Sequence, residues 1–436
     1  MLLLHAAASA AGAQTASALI GDDRPRISGP LSLQDAVTMT LDGNLTIQAM
    51  QFEADAAHRE TTAAEAMKRP QLSANTYLAT GSMSNILSSA PGVSPSGWMF
   101  VPGRSFADQN LMLMVPLYTG GRLGNLVKAA SGREGAAQAD VGGARADAVY
   151  LVREFYYRAL VAAEMVKTAE ARADAATAML DVAQVQFEAG KGIQASVARA
   201  AAELADAKRM LATARNDRLK ILLDLRRVMG VAPDSDITLL DTLAFTPSEG
   251  SLQADLAEAA QIRPELVAAR ARRESAAAET AAARGARRPQ IYGAAMADAF
   301  APRDMNRNTG GTVGVTMSFP LFDSGERGAE IGKKEALERR NDAELKDLEL
   351  RVATEVRQAW LDLNTAEENY RAARSALDSM QAAYDVIVVR VENQKSILVE
   401  QLDALAALTA ARENLSRALF EHSIARARLD RAIGRY

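Results

Sequence analysis

VATEVRQAWLDLNTAEENYRAARSALDSMQAAYDVIVVRV, residues Val352–Val391, decides the fold. Read at alternating steps of four and three, it gives Val352, Val356, Ala359, Leu363, Ala366, Tyr370, Ala373, Leu377, Met380, Tyr384, Ile387 and Val391, all apolar or aromatic. Most positions between them are charged, polar or alanine. A heptad seam held this long predicts one continuous coiled-coil helix, because a 3.5-residue repeat keeps the same stripe turned toward its partner. Subtracting 204 from each number gives Ala148, Val152, Phe155, Ala159, Ala162, Val166, Ala169, Ala173, Ala176, Leu180, Ala183 and Phe187, again with no charged or polar residue. The same helix occurs twice, so the chain is an internal repeat.

The flanking sequence repeats too. The first repeat, residues 31–230, reads as a helix over 31–69, strands over 70–80 and 108–118, and helices over 121–189 and 193–229. Ser32 is the expected N-cap of the first helix, and Pro70 stops it. Residues 231–255, with Pro233, Pro247 and Gly250, read as an irregular segment at mid-height. The second repeat, residues 256–436, reads as a helix over 256–288, strands over 289–300 and 311–322, and helices over 325–393 and 397–433. Pro289-Gln290 matches Pro70-Gln71, PLFDSGER (Pro320–Arg327) matches PLYTGGR (Pro116–Arg122), and Gly434 matches Gly230. At 1.5 Å per residue the helix over 121–189 is roughly 100 Å long. The helices over 193–229 and 256–288 each cover about half of that, so one long helix packs against two half-length ones.

Composition bounds the function. A formal net charge of −4 implies no pull toward nucleic acid, and the absence of cysteine excludes disulfides, thiolate metal sites and catalytic thiols. Residues 1–13, MLLLHAAASAAGA, read as a signal peptide ending at Ala11-Gly12-Ala13, or as a frayed helix, since no basic residue precedes the apolar run. No later segment has eighteen consecutive apolar residues, so a membrane role falls to the strands.

Those strands number four, each about ten residues, enough to cross a bilayer when tilted. Val313, Val315, Met317, Phe319 and Leu321 alternate with Thr312, Gly314, Thr316 and Ser318; around Leu111, Leu113, Val115 and Leu117 the pattern is blurred by Met112 and Met114. Tyr118 and Phe322, at equivalent strand ends, suit a membrane interface as girdle residues. A small soluble sheet with a packed aromatic face fits the alternation equally well. Four strands do not close a barrel, so a membrane reading requires several chains to share one.

The duplicated order of half-helix, Pro-Gln, strand, loop, strand, Pro-Leu-[Tyr/Phe]-x-x-Gly, long helix, turn, helix and Leu-x-x-x-x-Gly resembles the TolC-like outer-membrane efflux protein family, over nearly everything from Leu31 to Gly434. The resemblance implies a mainly α fold with β strands: a long coiled-coil α-barrel plus four membrane strands per chain, which complete a 12-stranded β-barrel as a homotrimer. It implies a passive exit duct in the outer membrane of a Gram-negative bacterium, with the helices in the periplasm. The duct would serve a tripartite efflux pump or a type I secretion system. Its partners would be a periplasmic adaptor, an inner-membrane transporter of RND or ABC type, and membrane lipid, with no cofactor. The functional end would be the two helical turns. Gly190, Lys191, Gly192 and Ser196 stand at the first, and Gln394, Lys395 and Ser396 at the second, as the expected adaptor-docking residues. The family's Asp/Tyr/Arg lock falls on Ser196, Val391 and Ser396, so that lock is absent. The family's pair of aperture acids falls on Glu400 and Asp403. At i and i+3 these share one helix face, where a trimer would gather six carboxylates into a cation-favouring ring. Charge spacing alone fits an ordinary solvated face as well.

Other signals carry less. GKGIQA (Gly190–Ala195) fits a loose dinucleotide pattern but follows a helix where a phosphate site needs a strand. His5, His58 and His422 lack metal spacing, and His58 and His422 read as exposed helix residues. Trp360 and its equivalent Tyr156 read as packing residues between helices. No catalytic constellation is present. The alternative to the duct is a soluble coiled-coil scaffold that mediates protein interaction.

Overall fold

The computed structural model describes residues 24–81, 104–190, 192–248, 250–302, 308–392 and 395–436. The leader reading of residues 1–13 and the turn residues Lys191 and Gln394 lie outside the described residues. In chain order the elements are β1 (Ser28–Leu31), α1 (Leu33–Gly43), α2 (Leu45–Ala66), β2 (Gln71–Gly81), β3 (Arg104–Tyr118), α3 (Arg122–Glu188), α4 (Gln194–Met229), β4 (Asp236–Leu239), α5 (Leu252–Ile262), α6 (Pro264–Gly285), β5 (Gln290–Pro302), β6 (Asn308–Ser318), α7 (Glu326–Glu392) and α8 (Leu398–Ile433). Adding 204 to the bounds of α3 and α4 gives those of α7 and α8, and adding 219 to those of α1 and α2 gives those of α5 and α6.

The residues pack as two units. The first holds Met1–Phe52, Ala139–Val267 and Asp347–Tyr436. Its core gathers Leu31, Val37, Val149, Val152, Tyr156, Leu222, Leu225, Met229 and Ile237. Seam residues of α3 from Ala148 to Ala183 are mostly buried in this unit, as are Val352, Val356, Ala359, Leu363 and Ala366 of α7. From Tyr370 onward the α7 seam is only partly covered.

Three features depart from the sequence reading. The helix expected over 31–69 is two, α1 and α2, broken at Asn44. Asn44 donates its side-chain amide to the Val228 carbonyl (3.0 Å) and accepts the Thr46 and Ile47 N–H groups (2.9 and 3.3 Å), so it stops one helix and caps the next. The helix expected over 256–288 is likewise two, α5 and α6. Pro264 has no N–H and forces Arg263 into an extended conformation (φ −60, ψ 117), which ends α5. The segment over 231–255 is not wholly irregular: β4 pairs in parallel with β1, Ser28 opposite Asp236 through Leu31 opposite Leu239. Ser32 does cap α1, in a reciprocal box with Asp35.

Tyr156 ties these parts together. Its hydroxyl lies 2.9 Å from the Leu31 carbonyl oxygen and 2.7 Å from Asp241 Oδ2, and that carboxylate also accepts the Leu33 N–H (2.7 Å). It is therefore more than the packing residue its position suggests. Burial first, then the Asp241 carboxylate, pushes the phenol well above its ordinary pKa. Tyr156→Phe removes the single O–H donor that the buried Leu31 carbonyl and the Asp241 carboxylate share. We expect a loss of roughly 1–3 kcal/mol, read as a lower thermal midpoint of the helical signal in detergent. His422 is also misread by sequence, being 1% exposed on α8, because Phe245 of the inter-repeat segment lies over it.

Two glycines allow close junctions in this unit. Gly230 (φ +74) caps α4, and a Cβ there would lie 2.3 Å from the Gly43 carbonyl oxygen. Gly434 (φ +101) caps α8 with a Cβ position 3.0 Å from Arg263 Cα. Around the latter junction the Arg263 guanidinium is 8% exposed. It donates to the Ala432 carbonyl (2.6 Å) and pairs with Glu265 (3.1 Å) and Glu355 (2.7 Å). Arg431 pairs with Asp147 and Glu265, and Arg435 with Asp255 and Glu258.

The second unit holds Glu53–Gln138 and Ala268–Lys346. Its helices approach closely where Gly132 meets Ala271 and Ser275, whose hydroxyl donates to the Ala129 carbonyl (2.8 Å). Its sheet is antiparallel in the order β2-β3-β5-β6, which leaves β2 and β6 as edges. His58 is exposed, as expected, and its Nδ1 lies 2.9 Å from Glu134.

Candidate docking turns and membrane sheet

The first turn is built by backbone. The Ala189 N–H donates to the Val185 carbonyl, that of Gly190 to Phe187 and that of Gly192 to Gln186 (3.0, 3.0 and 2.9 Å). Gly190 sits at φ +70, which only glycine adopts cheaply, and a Cβ on Gly192 would press on the Phe187 nitrogen at 3.0 Å. At the second turn the Lys395 N–H donates to the Arg390 carbonyl (2.8 Å). The Ser196 N–H bonds the Ile193 carbonyl and the Glu400 N–H the Ile397 carbonyl, each at 3.0 Å, so the two helix starts are built alike.

Glu400 and Asp403 are both exposed on α8. The Ser396 hydroxyl donates to the Glu400 carboxylate, so the structure joins two residues that sequence assigned separate roles. Lys395 is exposed, Ser196 and Ser396 half-buried. What sequence reading missed is apolar. Ile193 and Ile397, the N-cap residues of α4 and α8, make no side-chain cap and are 67% and 62% exposed. Val182, Val185 and Phe187 beside the first turn, and Val386 and Val389 beside the second, are exposed too. The signal was available: isoleucine where a helix start favours Ser, Thr, Asp or Asn, at both turns in the same register.

No described helix is long and apolar enough to cross a membrane. The sheet offers the apolar surface instead. Strands β2, β3, β5 and β6 have 11, 15, 13 and 11 residues, and about 9–11 suffice for a tilted crossing. Directly paired residues share a face. One face carries the rows Leu72–Leu113–Ala295–Val313 and Ala74–Leu111–Ala297–Gly311, then Val115–Gly293–Val315 and Tyr118–Ile291–Met317. The other carries Ser73–Met112–Met296–Thr312 and Asn75–Asn110–Asp298–Gly310, with Asn75 donating to Asn110 (3.0 Å). Met112 and Met114 thus belong to the polar face, which is why they blurred the alternation. On the apolar face Leu72, Val313, Val315 and Met317 are exposed among the described residues; Val313 is 86% exposed. Tyr118 ends β3 on this face, past an irregularity at Pro116. Phe322, expected to end the last strand, lies beyond it, because β6 stops at Ser318 and Pro320 follows. It is nevertheless exposed.

Known proteins resemble the chain throughout. A family model described as "Outer membrane efflux protein" matches residues 36–231 and 256–435. The gap between the two matches, residues 232–255, covers β4 and the residues that lead from it to α5. The cobalt-zinc-cadmium resistance protein CzcC of Cupriavidus metallidurans is 24% identical over 414 residues, 94% of this chain and 91% of that one. The outer membrane efflux protein BepC of Brucella suis biovar 1 is 25% identical over 256 residues, 58% of this chain and 56% of BepC. Among solved structures, the outer-membrane channel OprN superposes with a TM-score of 0.78 at 19% identity, covering 92% of this chain and 89% of that one. At such identity the likeness speaks for the fold.

Proposed function

The chain belongs to the outer membrane efflux protein family, and from that premise we propose how its parts divide the work of export. It is a passive outer-membrane channel, not an enzyme. The soluble-scaffold alternative falls with the family match.

Three copies share one twelve-stranded barrel, with β6 of one copy pairing β2 of the next. One observation carries this reading: among the described residues, a four-stranded sheet with an exposed apolar face and two unpaired edges. Lipid covers the apolar face, with Tyr118 and Phe322 toward the interface. The polar face lines the passage. The helices extend into the periplasm of a Gram-negative cell. Gly190, Lys191, Gly192, Ser196, Gln394, Lys395 and Ser396 present the turns to a periplasmic adaptor, with Ile193 and Ile397 as apolar contacts. The adaptor links the duct to an inner-membrane transporter of RND or ABC type, which supplies the energy. Glu400 and Asp403 line the aperture, and without the Asp/Tyr/Arg lock other contacts close it.

CzcC is named for resistance to cobalt, zinc and cadmium. Among the described residues here no cluster of three or more His, Cys, Asp or Glu side chains is arranged to hold a metal. The feature that meets a cation in transit is the acidic pair.

The test is the mass of the detergent-purified protein, followed by conductance in a planar bilayer. We expect a trimer with discrete conductance steps, partly blocked by divalent cations. Glu400→Ala with Asp403→Ala should relieve that block. A monomer without conductance overturns the duct; unchanged block removes the pair from the aperture.

A further inference from the structure

Residues 242–248 cross the surfaces of α7 and α8 as a strap. The Phe245 ring stacks on Tyr370 of α7, with centroids 4.3 Å apart and planes 9° off parallel. It tilts at 45° against His422 of α8 at 4.8 Å. Three residues on, the Ser248 N–H donates to Glu367 Oε1 (2.8 Å), and Arg371 pairs with the second oxygen of that carboxylate (3.2 Å). The Phe245 ring and the Ser248 N–H fasten the strap to α7 and α8, and Leu243 packs on the core ahead of them.

Beneath it lies an imidazole with a deficit. Both ring nitrogens of His422 are buried without a well-formed hydrogen bond among the described residues, the Thr246 main chain offering only a weak one. Neutral imidazole carries one donor and one acceptor, and sealing both so poorly partnered works against closure. Tertiary packing alone would favour an apolar ring here, so a titratable one is informative.

We propose that the strap is a pH-operated latch. It is closed over neutral His422, and released when acid charges that ring and draws Glu367 away from the Ser248 N–H. Release uncouples the segment between the two repeats from α7 and α8.

The charges around the ring set the direction. Burial holds the imidazole below its ordinary value. Glu367 of α7 and the Thr246 main chain pull it back up, Arg426 of α8 pushes it further down, and the net effect is down. Arg153 and Tyr157 of α3, Asp241 ahead of the strap and Asp430 of α8 line the cavity that His422 and the strap share. The closed state thus takes up a proton less readily than the open one. Closure is fully favoured at high pH and is lost as pH falls below the open-state value of about 6.5. Glu367 stays charged through this window. Burial pushes its carboxyl up, but the Ser248 N–H, Arg371 and His422 together leave it below the ordinary carboxylate value. An imidazolium formed under the strap therefore finds an anion beside it, already held by a weaker donor.

Hydrogen exchange of the full chain in detergent tests this, with peptides covering residues 242–248 followed at pH 7.5 and pH 5.0 and corrected for intrinsic rates. We expect protection to fall about tenfold at the lower pH, while peptides from β2 and β3 hold theirs. His422→Gln should abolish the pH dependence. Glu367→Ala, which removes the acceptor of the Ser248 N–H, should leave the strap open at both values, so the test stands even if the histidine variant fails to fold. Equal protection of the parent at both pH values, or the full acid drop surviving in both variants, overturns the latch.

Discussion

Gly230→Val should cost about 4 kcal/mol, combining left-handed backbone strain with overpacking. The residue sits at φ +74, and its new Cβ would stand 2.3 Å from the Gly43 carbonyl oxygen and 2.9 Å from the carbon. Both are backbone atoms at a helix end, so no side chain can swing aside. The α4 terminus and the break between α1 and α2 must separate, and with them goes the Asn44 amide bond to Val228. Thermal unfolding of the detergent-solubilised protein measures the loss. Gly332→Ala is the contrast: Gly332 is a helical glycine with open space where a Cβ would go. Alanine there should stabilise by about 0.5–1 kcal/mol. If the two substitutions shift the midpoint alike, the Gly43–Gly230 contact carries no special weight.

Val313→Arg is expected to remove the protein from membranes. Val313 lies mid-strand in β6, in the row with Ala295, Leu113 and Leu72, and is the most exposed of the four. An arginine facing lipid at mid-depth costs about 2–4 kcal/mol, and in the proposed trimer each copy carries that cost. Thr312→Arg, one residue earlier, projects to the polar face and should insert as the parent does. Recovery of heat-stable oligomer from vesicles reads both. Equal recovery would mean that the Val313 face is not turned to lipid.

The long helices were legible because their signal is redundant. A seam of twelve positions recurs at a constant register of 204, and α3 and α7 match it residue for residue in their bounds. The strands were legible from alternation in β6 and from Pro-Gln at the start of β2 and β5. What sequence reading missed depends on partners far along the chain. β1 is SGPL, a poor strand by propensity, and it exists because β4 lies beside it 208 residues later. Asn44 looks like any polar helix residue until the Val228 carbonyl is placed against it. Pro264 was a local signal, outweighed by the expectation of one continuous helix. His422 reads as exposed because its cover comes from an irregular segment without periodicity. At the turns, glycine and charge drew the eye, while the exposed isoleucines at the two N-caps were the more unusual choice.

The unpaired edges of the sheet also bear on how the protein is made. A newly exported chain carries two rows of free N–H and C=O groups, on β2 and on β6, each a template for another strand. On the trimeric reading, ring closure needs two successive encounters between scarce chains before any edge is safe. Yield should therefore climb more steeply than in proportion to supply. β6 also has glycine at 310, 311 and 314, and such a strand specifies its register weakly. Slow delivery leaves each arc waiting, open to pairing out of step with whatever strand arrives first. If three copies share the barrel as proposed, the bottleneck in the cell is recruitment of the second and third copies, and holding the waiting edges apart is a task for helpers met on the way.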